Sequence, residues 1–119
     1  MSQSEVIPQF KLTLLIRRRP DLTHEQFKAR YESGHAPLAR MQLPLLRRYQ
    51  RNYLTPLPGR PDREYDVITE FWFDTMEDLQ ATIGSLPEEV RETLARDEAE
   101  FMDRPSMSLY ITETHRSPE

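Results

Sequence analysis

The sequence predicts an α+β fold: one four-stranded antiparallel sheet, element order β-α-β-β-α-β, with the helices on one face. Three observations carry this. Residues 10–18 and 47–54 read with the period of two of a strand, 65–73 is rich in the β-branched and aromatic residues that strands favour, and 106–114 reads as a fourth strand. After the first and third of these come cap residues followed by apolar residues at helical spacing. No repeat or linker divides the 119 residues, so one domain, 1–119, holds them, with a core of about 10–114 and a polar tail at 115–119.

The first strand (FKLTLLIRR, 10–18) sets Phe10, Leu12, Leu14 and Ile16 against Lys11, Thr13, Leu15 and Arg17. Pro20 and Asp21 turn the chain into the stretch 22–38, LTHEQFKARYESGHAPL. Thr23 and Gln26 have the spacing of a capping box, and Phe27, Tyr31 and His35 recur at i, i+4 and i+8 on one face. Pro37 is expected to stop this helix near Ala36, because the residue before a proline is pushed out of the α region. That would leave His35 at a helix C-terminus, on the buried side. Residues 39–46 connect, with room for a helical turn around Met41.

The second strand (RRYQRNYL, 47–54) separates Tyr49, Arg51 and Tyr53 from Arg48, Gln50 and Asn52. Three prolines and a glycine make 55–63 a loop. The third strand (YDVITEFWF, 65–73) is rich in β-branched and aromatic residues. Asp74 or Thr75 caps a short helix carrying Met76, Leu79, Gln80 and Ile83, stopped by Gly84. Ser85 with Glu88 reads as a second capping box, opening a helix whose apolar line is Val90, Leu94 and Phe101, with Asp97 or Glu98 filling the gap. The last strand is 106–114 (SMSLYITET).

This order is the split βαβ, or ferredoxin-like, arrangement. Its helices cover one side of the sheet. Both faces of strands one and three carry apolar residues, so the second side is expected to be buried by another copy, giving a sheet-to-sheet homodimer.

Composition excludes several function classes. Without cysteine there is no disulfide framework, zinc thiolate or thiol nucleophile. No apolar run approaches the ~18 residues of a membrane span, and MSQSEVIPQ has no signal-peptide pattern, so a soluble, cytoplasmic protein without a membrane partner is expected. Residues 1–63 hold twelve Lys and Arg against five Asp and Glu, whereas 64–119 hold four against fifteen. The arginine pairs sit at strand ends without interleaved aromatics, so neutralisation between the halves is expected rather than nucleic-acid binding. Three scattered histidines make no metal motif, and three glycines make no phosphate or dinucleotide loop. Acid–base chemistry on an organic substrate remains, with no cofactor and no metal.

The segments KLTLLIRRRPDLTHEQFKARYESGHAPL, RRYQRN, YDVITEFWFDTMEDLQA and ARDEAEFMD together resemble the EthD family, of the dimeric α+β barrel superfamily. The resemblance spans about residues 10–114. It implies a ferredoxin-like subunit, an obligate dimer, and a pocket between the sheet and the helices. It also implies relatives that act as muconolactone-type isomerases, cofactor-free monooxygenases, or cyclases, dehydratases and decarboxylases of aromatic polyketides.

His35 matches the histidine of the family's HAP segment. It is a candidate acid–base residue, or else a helix cap bonded to a carboxylate. Tyr31 on the same face is a donor to a substrate carbonyl or a core aromatic. Asp66, Glu70 and Trp72 share one face of strand three. If that face looks to the helices, Asp66 could orient His35 and Glu70 could enter the pocket; otherwise both carboxylates pair with arginines of strand two. Tyr49 and Tyr53 line either the pocket or the dimer seam. Trp72 stacks on an aromatic ligand or fills the core, and Phe27 lies beside the same pocket. His24 and His115 are expected to be exposed. The expected activity is isomerisation, cyclisation, dehydration or decarboxylation of a small aromatic, lactone or polyketide-type substrate. The alternatives are a non-catalytic binding or accessory dimer and a cofactor-free monooxygenase.

Overall fold

The computed structural model describes residues 9–118; residues 1–8, which hold most of the segment without a signal-peptide pattern, and Glu119 of the tail lie outside the described residues. Strands β1 (Phe10–Ile16), β2 (Arg48–Tyr53), β3 (Val67–Phe73) and β4 (Ser108–Thr112) form one antiparallel sheet in the order β2-β3-β1-β4. The two most apolar strands occupy the centre, paired from Phe10 opposite Phe73 to Ile16 opposite Val67. The element order is the expected one, with the helices on one side.

That side is set by side-chain parity. Leu12, Leu14, Ile16, Val67, Phe71 and Phe73 point into a core shared with Phe27, Leu79, Leu94 and Phe101. Ile16, Phe27, Phe73, Leu79 and Phe101 are wholly buried, and each contributes about 1.5–3 kcal/mol through the apolar surface removed from water. Lys11, Thr13, Leu15, Ile68, Glu70 and Trp72 take the opposite, open face.

Helix α1 (His24–Arg30) starts at the expected capping box, with Gln26 N–H donating to Thr23 Oγ1 at 3.1 Å and Thr23 N–H to Gln26 Oε1 at 2.9 Å. The expected stop at Pro37 is wrong. The chain passes through a π-helical turn, Tyr31–His35, into α2 (Ala36–Gln42) without leaving helical backbone angles. In the wide turn Ala36 N–H reaches back five residues to Tyr31 O. An inserted wide turn re-spaces the carbonyls that a proline ring would otherwise strike, and the missing proline N–H falls in the first turn of α2, where it is least needed. His35 is therefore inside a continuous helical rod, not at a helix end, and gains nothing from a terminal dipole.

Helix α3 (Met76–Gly84) is capped by Thr75, whose Oγ1 accepts from Asp78 N–H at 3.0 Å. The Ser85–Glu88 capping box does not form. Ser85 N–H instead closes α3 on Ala81 O, and α4 (Glu88–Glu98) begins after Pro87 with no side-chain cap.

Candidate functional site

The rod from α1 to α2 crosses the inward side of β2, and between them lies an open cleft of about 460 Å³. The rod contributes Glu32, Ala36, Pro37 and Arg40; β2 and the residue before it contribute Arg47, Arg48, Tyr49 and Arg51. Two other cavities are poorer candidates. One of about 280 Å³, among Leu45, Ala81, Leu86 and Val90, has no ionisable lining. The other, about 210 Å³ around Arg18 and Asp62, has charged groups already paired with each other, as in Arg17–Glu64 and Arg18–Asp66.

Tyr49 ends a chain of three hydroxyls. Its phenol lies 2.8 Å from that of Tyr31, which lies 2.9 Å from Thr69 Oγ1 on the inward face of β3. Burial pushes the Tyr31 phenol up to about 12, against the opposing pull of its bonds to Thr69 and Tyr49. Burial, then the neighbouring Tyr31, raise Tyr49 well above the phenol range. Both are therefore protonated hydrogen-bond donors at neutral pH, not bases. The Arg51 guanidinium lies 4.6 Å from the Tyr49 ring centre and binds Glu32 through two bonds of 2.8 and 2.7 Å. Tyr53 also donates to Glu32, at 2.5 Å. Arg51 foremost, with Tyr53, outweighs burial and holds the Glu32 carboxyl below its usual range, so it is ionised. The period-two reading of β2 is right, and it puts Tyr49, Arg51 and Tyr53 on the helix side.

His35 is not among the residues of the cleft wall. It is 4% exposed, with Nδ1 2.8 Å from Asp97 Oδ2 and Nε2 3.5 Å from Glu98 Oε2 on α4. Arg30 also reaches Asp97, passing over Gly34, where an added Cβ would stand 2.3 Å from its Nη1. A side chain at 34 would thus displace the guanidinium. Burial opposes ionisation of Asp97, but Arg30 and then His35 prevail and hold its carboxyl below the ordinary value. The arrangement fastens the π turn to α4.

Asp66 is not the partner of His35. It is 2% exposed just before β3 and accepts from Arg18 N–H (2.9 Å), Arg18 Nη1 (2.8 Å) and His24 Nδ1 (2.8 Å). His24 is accordingly half-buried rather than exposed. The arginine that pairs with Asp66 is Arg18, two residues past the end of β1, and not one of strand two. Glu70 and Trp72 face away from the cleft, because the helix side takes the other parity of β3. Glu70 binds Lys11 Nζ at 2.9 Å and Asn52 Nδ2 at 3.0 Å, while Lys11 and Arg48 lie over the Trp72 ring. Phe27 is wholly buried against Tyr31 and Phe101, away from the cleft wall. His115 is exposed, as expected.

Thr69, Glu32, Arg40, Arg48, Arg51 and Asp97 were not singled out from the sequence as site residues. Thr69 carried a signal, a lone polar residue among Val67, Phe71 and Phe73. Asp97 carried another, the gap in the apolar line of α4. No group of three or more acidic or histidine side chains among the described residues is placed to hold a metal ion, and no helix among them is long and apolar enough to cross a membrane.

A ferredoxin-like subunit with a cleft between helical rod and sheet defines the class of protein. The EthD domain profile matches residues 19–105, and the chain belongs to the EthD family. No curated protein matches it significantly. Among solved structures, an EthD family protein of Bacillus halodurans is similar at 21% identity and TM-score 0.66, over 89% of this chain and 99% of the other. A protein of Bacteroides fragilis described as dimeric, ferredoxin-like and of unknown function is similar at 15% identity and TM-score 0.59, over 89% and 96%. A dimeric ferredoxin-like protein of unknown function from Thermobifida fusca is similar at 14% identity and TM-score 0.54, over 90% and 92%. Identities this low bear on the fold alone.

Proposed function

We propose that the chain is a cofactor-independent acid–base enzyme that enolises a small polyketide-type or aromatic substrate in the cleft between the helical rod and β2. The hydroxyl chain Thr69–Tyr31–Tyr49, ending at a residue of the cleft wall, carries this reading. If Thr69 donates to Tyr31 and Tyr31 to Tyr49, the Tyr49 proton is free to bond a substrate carbonyl. The chain polarises that donor, which stabilises the oxygen as it gains enolate charge. The C–H proton passes to Glu32, the one carboxylate of the cleft wall, and returns from it to another carbon or drives loss of water. An ionised carboxylate with a depressed pKa is a weak base. That favours carbon acids flanked by two carbonyls over simple lactones. His35, engaged by two carboxylates, positions the π turn that carries Glu32.

The test is hydrogen–deuterium exchange at the central carbon of β-diketones, followed by proton magnetic resonance, with phenols and lactones run alongside. The wild type should exchange a β-diketone faster than buffer, and Tyr49→Phe should lower that rate by about a hundredfold, the usual cost of one oxyanion donor. Binding without exchange in either protein would make the cleft a ligand-binding module instead.

The same reading includes a homodimer through the open face of the sheet. Leu15, Ile68 and Trp72 lie there around the Lys11–Glu70 pair, and Lys11 is only 7% exposed. Tyr110 on edge strand β4 is 59% exposed. Two of the similar structures are described as dimeric. Light scattering should give about twice 14.2 kDa. A monomer at micromolar concentration would refute the dimer.

A further inference from the structure

We infer that His24 of α1 is a phosphoryl-acceptor site outside the cleft, its Nε2 being the accepting atom, and that the buried carboxylate of Asp66 prepares it. Nδ1 of His24 lies 2.8 Å from Asp66 Oδ1, and the same carboxylate accepts from Arg18 N–H and Arg18 Nη1. These bonds, together outweighing burial, keep Asp66 ionised. An ionised carboxylate has only acceptor atoms, so the proton in the contact with His24 belongs to Nδ1. Neutral His24 is therefore the Nδ1–H tautomer, with its lone pair on Nε2. Nε2 has no hydrogen-bond partner among the described residues, and it is not one of the buried polar atoms left without one. With 11% of the side chain exposed, that edge of the ring meets solvent.

The other two histidines lack this combination. His35 is buried with both ring nitrogens turned to carboxylates of α4, and His115 is exposed beside an equally exposed Glu113. The chemistry suits a donor with a labile bond from phosphorus to a protonated nitrogen. The Nε2 lone pair attacks phosphorus and forms an N–P bond, while the donor's own P–N bond breaks and its nitrogen leaves with that electron pair as the free amine. The ring then bears the phosphoryl group on Nε2 and still holds its proton on Nδ1, so it is a cation. Asp66 stands against that charge, as a buried carboxylate does behind a reacting imidazole, and no proton has to leave. Lys28, one helical turn on, sets its Nζ 5.9 Å over the Tyr53 ring that His24 meets edge-on, which favours a donor with negative charge. Its surface partner Glu25, at 3.4 Å, is a weak competitor.

The experiment treats the folded protein with potassium phosphoramidate at about pH 8, where an ordinary imidazole is neutral. Phosphorus magnetic resonance and peptide mass spectrometry locate the product in wild type, His24→Gln, His115→Gln and Asp66→Asn. His24 should be phosphorylated on Nε2 at least about tenfold faster than His115, the scale of one charge-assisted contact. His24→Gln should lose that product and His115→Gln should keep it. Asp66→Asn keeps an acceptor for Nδ1–H but not the charge, and should slow His24 to the rate of His115. Should that variant fail to fold, nitrogen magnetic resonance of the wild type at the same pH decides, with the proton of His24 expected on Nδ1. Product confined to His115, equal rates at the two histidines, an unchanged rate in folded Asp66→Asn, or a proton on Nε2 would each overturn the inference.

Discussion

Phe27→Ala should destabilise the protein by about 3–5 kcal/mol, the range for truncating a fully buried aromatic side chain. Phe27 has no exposed surface, and its ring meets those of Tyr31, Tyr53 and Phe101 at centre distances of 6.0, 6.5 and 5.5 Å. The loss combines the transfer of the ring to water, three aromatic contacts and a cavity the helical rod cannot collapse to fill, because the capping box and the π turn fix it at both ends. Against a total stability of about 5–15 kcal/mol for such a domain, most of the margin is removed. Urea unfolding should show a much lower midpoint at unchanged slope. A shift worth under about 1 kcal/mol would mean that the core is not organised around this ring.

Asp66→Ala is expected to cost about 3 kcal/mol, because it strands a backbone N–H, a guanidinium and an imidazole that one buried carboxylate had satisfied. The figure is at the low end for a buried pair because Arg18 is 28% exposed and can rehydrate. Burial opposes ionisation of Asp66, but the Arg18 backbone bond, the His24 bond and the Arg18 guanidinium together hold its pKa below the ordinary carboxylate value. With the folded pKa below the unfolded one, this contribution is fully present above about pH 5 and is lost as pH falls through the folded pKa, below about 3.9. Wild-type stability should therefore fall on acidification to pH 3. In Asp66→Asn the decline should be shallower and start from a lower plateau. Equal acid slopes in the two proteins would show that the carboxylate is not paired as described.

Strand alternation made the sheet legible, but not which of its faces the helices cover. In β3, Val67, Phe71 and Phe73 oppose Ile68 and Trp72, so both parities look fit for a core. The helices take the first set, and with it go Thr69 and the cleft, while Glu70 and Trp72 fall on the far side. The helix start at Thr23 was legible because a capping box is a local device. The passage through Pro37 was not, because a wide turn ending two residues upstream overrides the proline rule without any distinctive side chain. The partner of His35 was half legible: the gap in the apolar line of α4 marked Asp97 and Glu98, but their meeting with residue 35 is 62 positions away in the chain. Arg51 looked like an ordinary strand charge in the sequence, because its partner Glu32 lies nineteen residues away on the helical rod.

The wide turn at Tyr31–His35 is in effect one residue more than a regular helix would use over the same length. Each residue of a helix rotates the next by about 100° at 3.6 residues per turn. Everything after the turn, including Arg40 and the cleft-facing Pro37, is thus aimed by that single extra residue, while Phe27 before it is aimed by the cap. Insertion and deletion, more than substitution, would then be the events that separate the two halves: losing one residue between 31 and 35 would leave the core anchored and swing the cleft wall through more than a quarter of a circle. Lineages with and without the extra residue would share a core and differ in what they hold.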